Sequence, residues 1–144
     1  MNFELVSLDG VKFRATAYSI VLPTATGQIT LLKDHEPLLG VVVSGTITIR
    51  KEQNDPDYHL EHYATLGGVL EVTKQGARVL VDEAAGADEI SEAEAEKAHQ
   101  AALDLRKNAK DQVEIDKAQA LVDRHAVRLN VAKLRKHQRN RGQM

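Results

Sequence analysis

The chain has 144 residues, of which 42% are hydrophobic and 28% are charged, a composition typical of a folded globular protein. It contains no cysteine, which excludes disulfides and thiolate metal sites, and no tryptophan, so we expect a core made mainly of Val, Leu, Ile and Ala. The formal net charge is −2. No apolar stretch is long enough to span a bilayer, and the N-terminus lacks a basic signal segment, so we expect a cytoplasmic protein.

Residues 1–86 predict a series of short strands separated by turns that contain Gly, Pro or Asp. The segment at 3–8 ends at Asp9-Gly10, and the segment at 19–22 is expected to stop at Pro23. Further β-rich segments lie at 11–15, 28–32, 38–43, 46–50, 59–66, 69–72 and 77–81. Because helix-length connections are missing between them, parallel βαβ units are not expected, and an antiparallel sandwich or barrel is indicated.

The hydrophobic period changes after residue 86 and predicts two helices. Ser91 and Glu94 fit a capping box at the start of the first helix. Its apolar stripe consists of Ala95, Ala98, Ala102, Leu105 and Ala109. The second helix is expected from about Val113, with a stripe of Ile115, Ala118, Val122, Leu129 and Ala132 that also contains His125.

Together these patterns predict an α+β chain in two parts: an antiparallel β-sandwich at residues 1–86, followed by an antiparallel α-helical hairpin at 87–144. Because alanine side chains bury little apolar area, the hairpin is expected to dock only weakly.

Charge is divided unevenly along the chain. Residues 82–96 carry seven Asp or Glu and no Lys or Arg, whereas residues 124–144 carry seven Lys or Arg and no Asp or Glu. This asymmetry indicates that the basic end meets an acidic partner, or else that a solvated helix end carries cations that suit its dipole.

Two alternative functions, nucleic-acid binding and metal-dependent catalysis, are considered from the same sequence. A nucleic-acid-binding module could use the basic C-terminal helix, but stacking aromatics are missing there and the whole chain is acidic. A metal enzyme could use His59, Glu61 and His62, but His59 and His62 are expected on one strand, where residues three apart point to opposite faces. We therefore predict neither a catalytic residue nor a metal ligand, and no independent enzyme.

Four ordered segments resemble the epsilon subunit of the F-type ATP synthase, of the bacterial type. They are Gly27–Leu39 (GQITLLKDHEPLL), the strand at Gly45–Ile49, Leu66–Val72 (LGGVLEV) and Val79–Ala84 (VLVDEA). Their order and spacing agree over nearly the whole chain. Gln28 stands where the family usually has Glu, and Lys33-Asp34 replaces its usual Pro-Gly or Pro-Asn. The Gly67-Gly68 pair is interpreted as a requirement of backbone geometry.

The resemblance implies a non-catalytic central-stalk subunit that couples proton transport to ATP synthesis. In this family the sandwich packs on the gamma subunit and rotates with it and the c-ring, at the cytoplasmic face of the membrane, as a peripheral subunit without lipid insertion. Carried over by position, the c-ring contacts would be Gln28, His35, Glu36 and Pro37.

The resemblance also implies regulation by the hairpin. In many members it extends among the catalytic alpha and beta subunits and blocks ATP hydrolysis, and its basic face meets an acidic region of a beta subunit. The corresponding residues here are Arg124, Arg128, Lys133, Arg135 and Lys136.

Some bacterial members bind ATP at the start of the second helix through an [I/L]-D-x-x-R-A motif. The chain reads Val113 to Ala118 there, with Glu114 in place of Asp and Lys117 in place of Arg. Arg124 matches a further ATP-contacting arginine. Because lysine lacks the planar fork of arginine, the resemblance implies at most weak ATP binding through Glu114, Lys117 and Arg124, and no other cofactor.

Overall fold

The computed structural model describes residues 1–142 as ten strands, two 3-10 turns and two helices. The strands are Asn2–Ser7 (β1), Gly10–Thr16 (β2), Ser19–Thr24 (β3), Gly27–Leu32 (β4), Leu38–Val42 (β5), Gly45–Arg50 (β6), Glu61–Thr65 (β7), Gly68–Thr73 (β8), Gly76–Val81 (β9) and Ala84–Gly86 (β10). The 3-10 turns are Asp57–His59 and Ala87–Glu89, and the helices are Glu92–Lys107 (α1) and Gln112–Gly142 (α2). The predicted class, a β-sandwich followed by a helical hairpin, is confirmed. Within this range, none of the helices could cross a membrane.

The strands form one hydrogen-bonded ladder in the order β10-β7-β6-β3-β5-β8-β9-β1-β2, with β4 paired to β3. The ladder divides at β3, which pairs with β6 over Ser19–Val21 and with β5 through the bridge between Thr24 and Val42. The pairings are antiparallel, as expected, except that β1 and β9 run parallel. The chain returns from β1 to β9 through strands β2 to β8, so this parallel pair is connected without a crossover helix.

Two strand boundaries differ from the prediction. Strand β3 continues through Pro23, so the expected stop there is wrong. Pro23 lies where β3 changes partner from β6 to β5, and its missing N–H therefore interrupts no ladder hydrogen bond. The strand expected from His59 begins at Glu61, because the His59 amide instead donates to the Pro56 carbonyl in a 3-10 turn.

The core between the two halves of the ladder consists mainly of aliphatic side chains, as the composition predicts, with Phe3 and Phe13 added at a ring-centroid distance of 5.8 Å. The Gly67-Gly68 pair serves backbone geometry. A Cβ atom on Gly68 would lie 1.9 Å from the carbonyl oxygen of Leu80, so the close approach of β8 to β9 requires glycine at this position.

The hairpin is docked on the sandwich. Helix α2 packs against α1, β6, β7 and both 3-10 turns. The predicted cap is present, since Ser91 Oγ accepts a hydrogen bond from the Glu94 amide at 3.4 Å. Most of the predicted stripe on α2 is buried, and the fully buried Val131 joins it. Leu105 and Ile115 are exposed, contrary to the prediction, because they lie next to the connection between the helices, away from the sandwich.

Candidate functional site

The basic face of α2 meets an acidic residue of the sandwich at Glu83, which follows β9. Oε1 of Glu83 accepts hydrogen bonds from Arg124 at 2.9 Å and from Arg128 at 3.1 Å. All three side chains are between one quarter and two fifths exposed, so the contact is partly shielded from water. One carboxylate therefore ties two turns of α2 to the sandwich edge.

Two further ion pairs continue this contact towards the C-terminal end of α2. Arg135 Nη2 lies 2.5 Å from Asp88 Oδ1, in the second 3-10 turn, and Lys136 Nζ lies 3.9 Å from Glu92 Oε2, at the start of α1. Lys133 is exposed. We call the four pairs made by Glu83, Asp88 and Glu92 with α2 the ion-pair seam.

The ion-pair seam shows what the uneven charge distribution does in the folded chain. The acidic partner of the basic helix is the acidic segment of the same molecule, so four of the five cations expected to contact a beta subunit are held internally. This pairing partly neutralises the surface that nucleic-acid binding would require. Sequence alone indicates the two charged segments, but it does not reveal that they meet, because that depends on how the hairpin docks.

The three residues of the metal hypothesis are separated by the fold. His59 lies in a 3-10 turn, not on the predicted strand, and His62 lies on β7. The His62 ring is buried and contacts Thr48 and Gln138. Among residues 1–142, the structure contains no group of three His, Asp or Glu side chains that could hold a metal ion.

The segment predicted to contact the c-ring is a tight turn after β4. Asp34 adopts a positive φ of 65°, a conformation that suits Gly and Asn and that Asp tolerates better than most residues. Asp34 can therefore occupy the left-handed position of this turn. The His35 amide donates to the Leu32 carbonyl at 3.1 Å, and its Nδ1 donates to the Glu36 carbonyl at 2.8 Å. His35 thus stabilises its own loop.

This loop borders an open cleft of about 840 Å³ at one end of the sandwich, whose other walls are the N-terminus and the β8–β9 turn. The lining residues include Lys33, His35, Glu36, Pro37 and Lys74. Gln28 is exposed near the start of β4, four residues before the strand ends, which is about 13 Å along a strand. Gln28 lies near the start of β4 and the loop follows the end of this strand, so they do not form one cluster.

An uncovered apolar surface crosses five neighbouring strands on the outer face of the sandwich. The ladder places in register Val41 of β5, Val69 of β8, Leu80 of β9, Val6 of β1 and Val11 of β2. Apart from the half-buried Val6, these side chains are 46% to 59% exposed. We call this set the apolar row. The sequence analysis does not predict this surface, because which apolar strand residues face outwards depends on how the strands pair.

A charged row lies beside the apolar row on the same face. Glu4 accepts hydrogen bonds from Arg14 and Arg78, each at a distance of 3.3 Å, and Arg78 is paired in register with Glu71. The pKa of Glu4 is lowered from its ordinary value, mainly by the hydrogen bond from the guanidinium of Arg14. An apolar strip bordered by fixed charges is typical of a protein–protein contact surface.

The structure does not gather the three residues proposed for ATP around one cavity. The Glu114 carboxylate accepts a hydrogen bond from the Lys110 amide at 2.9 Å and so caps the connection between the helices. Arg124 lies ten residues further along α2, about 15 Å away, and is engaged by Glu83. The cavity beside Arg124 holds about 10 Å³, the space of about one water molecule. This cavity is too small for a nucleotide, and ATP binding elsewhere on the hairpin stays a prediction.

The chain is thus a two-part protein: a β-sandwich with an uncovered apolar face and a loop-lined cleft, and a basic helical hairpin docked on it. Residues 1–87 match the family model described as ATP synthase, Delta/Epsilon chain, beta-sandwich domain. The chain belongs to this family, in which it is an epsilon-type member with a C-terminal hairpin.

Relatives match over both parts of the chain. The ATP synthase epsilon chain of Herpetosiphon aurantiacus is 31% identical over 137 residues, covering 95% of this chain and 97% of that protein. The ATP synthase epsilon chain of Latilactobacillus sakei is 30% identical over 134 residues, covering 91% of each. The match therefore includes the hairpin as well as the sandwich.

Two solved structures share the fold. A chain of the Euglena gracilis mitochondrial ATP synthase, solved by cryo-EM as OSCP/F1/c-ring in rotational state 1, has a TM-score of 0.74 at 18% identity and covers 86% of this chain and 76% of its own length. A chain of the Tetrahymena thermophila mitochondrial ATP synthase central stalk and c-ring has a TM-score of 0.59 at 13% identity, covering 92% and 96%.

Proposed function

We propose that this chain is the epsilon subunit of the central stalk of an ATP synthase, where it couples rotation of a c-ring and gamma subunit to ATP synthesis without a catalytic residue of its own. The observation that carries this proposal is the similarity to epsilon chains over nearly the full length, hairpin included. The complex would hold the chain at the cytoplasmic face of a membrane as a peripheral subunit.

Two surfaces serve the stalk contacts. The apolar row packs against the gamma subunit, since an exposed apolar strip across five strands needs a partner to remove it from water. The loop at His35, Glu36 and Pro37, with Gln28 on the preceding strand, contacts the polar loops of the c-ring. The cleft beside that loop offers room for such a protruding segment.

We also propose that the hairpin is a brake on ATP hydrolysis. In the docked state the ion-pair seam occupies Arg124, Arg128, Arg135 and Lys136, and in the inhibitory state these residues and Lys133 would meet acidic side chains of a beta subunit. Exchanging one set of partly exposed ion pairs for another changes the free energy little, which a two-state device requires.

The test is ATP hydrolysis by the assembled synthase, with the full chain and with a chain that ends at residue 87. Hydrolysis should rise several-fold on truncation while gamma and the c-ring remain assembled. Unchanged hydrolysis in an intact complex would contradict the proposal that the hairpin inhibits hydrolysis, and the sandwich alone would then carry the stalk function. If the full-length chain did not assemble with gamma and the c-ring, the proposal that it is a stalk subunit would be wrong.

A further inference from the structure

One side-chain amide on the C-terminal part of α2, that of Gln138, contacts three polar atoms of the sandwich at once. Nε2 of Gln138 lies 2.9 Å from the Asp57 carbonyl oxygen, 3.0 Å from the Leu60 carbonyl oxygen and 2.9 Å from Nε2 of His62. Both carbonyl oxygens are acceptors only, so the amide must turn its NH₂ group, not its oxygen, towards this site.

This orientation determines the protonation state of His62. The NH₂ group shares its two hydrogens among these three neighbours, and its nitrogen cannot accept a hydrogen bond. A proton on Nε2 of the ring would therefore have no acceptor, and Nε2 carries none. The remaining ring proton sits on Nδ1, which lies 3.0 Å from Thr48 Oγ1 and donates to it. The docked state consequently selects the neutral ring with its proton on Nδ1.

Charged groups around the ring do not favour its protonated form. Glu61, Tyr63, Asp88 and Arg135 line the small cavity beside His62, from β7, the second 3-10 turn and α2. Asp88 pairs with Arg135, and Glu61 pairs with Lys51 at 3.3 Å.

The remaining neighbouring elements, β6 and the first 3-10 turn, present Thr48 and the Asp57 carbonyl, while the Asp57 carboxylate pairs with Arg50. The ring is 8% exposed, and burial lowers the pKa of His62 below its ordinary value of 6.5.

We propose that His62 and Gln138 form a pH-sensitive latch that holds the end of α2 on the sandwich when the ring is neutral and releases it when the ring is protonated. Protonation gives the ring its second N–H, at Nε2, and this N–H points at the NH₂ group of Gln138. Two donors then face each other, and the amide loses an acceptor. The latch belongs to the chain by itself, and only its effect on hydrolysis rests on the proposed function.

The direction of the effect follows from proton linkage. Because Nε2 of His62 faces the NH₂ group of Gln138 only when α2 is docked, docking disfavours the protonated ring, and the docked state binds protons less readily than the undocked state. Docking is therefore strongest above the ordinary histidine pKa and weakens as the pH falls below it. The ratio of docked to undocked hairpin should decrease several-fold between about pH 7.5 and about pH 5.5.

The experiment uses the full chain, which has no native cysteine, labelled at two exposed positions by Gln53→Cys and Asn140→Cys. Fluorescence energy transfer between the two labels should be high at about pH 7.5 and fall reversibly on acidification. In His62→Gln this acid response should disappear. Two controls keep it: His59→Gln, in the exposed 3-10 turn, and His125→Gln, on α2, where burial also lowers the histidine pKa.

A second measurement does not depend on the folding of any variant. The His62 ring titration in the unsubstituted chain, followed by NMR, should show a pKa below 6.5 that moves towards 6.5 in Gln138→Ala. A constant transfer efficiency over the pH range, a full acid response in His62→Gln, or its loss in His125→Gln would each overturn the latch.

Discussion

Arg124 on α2 donates a 2.9 Å hydrogen bond to Glu83, a residue 41 positions earlier in the chain. The same carboxylate oxygen accepts from Arg128, one helical turn later. The basic end and the acidic segment thus act on each other before either can act on another protein. Any partner that binds Arg124 or Arg128 must first displace Glu83.

Glu83→Gln should loosen the docked hairpin. The neutral amide can still accept a hydrogen bond but lacks the charge that holds two arginines, and we expect a loss of about 1 kcal/mol, or roughly fivefold in the docking equilibrium. Energy transfer between labelled positions 53 and 140 measures this change. The matched control is Glu96→Gln on the exposed face of α1, which should leave docking unaltered. Equal effects in both variants would contradict a specific role of Glu83.

Amide hydrogen exchange should be faster in α1 and α2 than in the central strands. The contact between the helices relies on small side chains such as Ala95, Ala102 and Ala118, which bury little area, whereas the strands enclose Leu5, Ile47 and other fully buried aliphatics. Protection factors measured at neutral pH by mass spectrometry would separate the two regions. Exchange equally slow in helices and strands would show that the hairpin is not weakly docked.

Val131→Ala should destabilise hairpin docking by about 2 kcal/mol, because this side chain is fully buried and its removal leaves a cavity. Val113→Ala is the same change in the same helix at a side chain that is 62% exposed, and it should cost less than about 0.5 kcal/mol. Urea titration of the energy transfer signal gives both values. Similar costs at the two positions would show that the burial of Val131 does not determine the free energy of docking.

Leu80→Lys should weaken binding to a gamma subunit roughly tenfold or more, since it places a charge in the middle of the apolar row. Because Leu80 is already 46% exposed, the sandwich should stay folded. Thr30→Lys on the exposed face of β4 is the control and should bind normally. Titration calorimetry with purified gamma measures both variants. Normal binding by Leu80→Lys would exclude the apolar row as the contact surface.

Stability above about pH 10 should decline through Tyr63. Burial, followed by the charges of Glu61, Glu89 and Asp88, raises the pKa of Tyr63 to about 12. The folded state thus holds the phenolic proton more tightly than the unfolded state, and this stabilisation disappears as the pH rises from the ordinary tyrosine pKa through about 12. Ultraviolet titration should show a late ionisation that Tyr63→Phe removes and that Tyr58→Phe, at an exposed position, retains.

Local patterns were sufficient for most elements. The Ser91 cap, the change of period after residue 86 and the alternation of the strands depend on neighbours in the chain, and the structure shows each of them. The predictions that were wrong concern residues whose environment is set by segments distant in the chain. Pro23 remains in a strand because β3 changes its ladder partner from β6 to β5 at this position. Ile115 is exposed because the sandwich does not reach it.

The candidate functional surfaces likewise depend partly on local sequence and partly on contacts between distant segments. By itself the sequence determined the fold class, the family resemblance and the separation of acidic from basic residues, because these are properties of composition, period and ordered motifs. Tertiary structure alone decided that Glu83 holds Arg124 and Arg128, that Gln138 reaches His62, and that Val69 and Leu80 line up on an uncovered face. Each of these contacts joins residues far apart in the chain or on separate strands, and their approach depends on strand register and on the docking of α2.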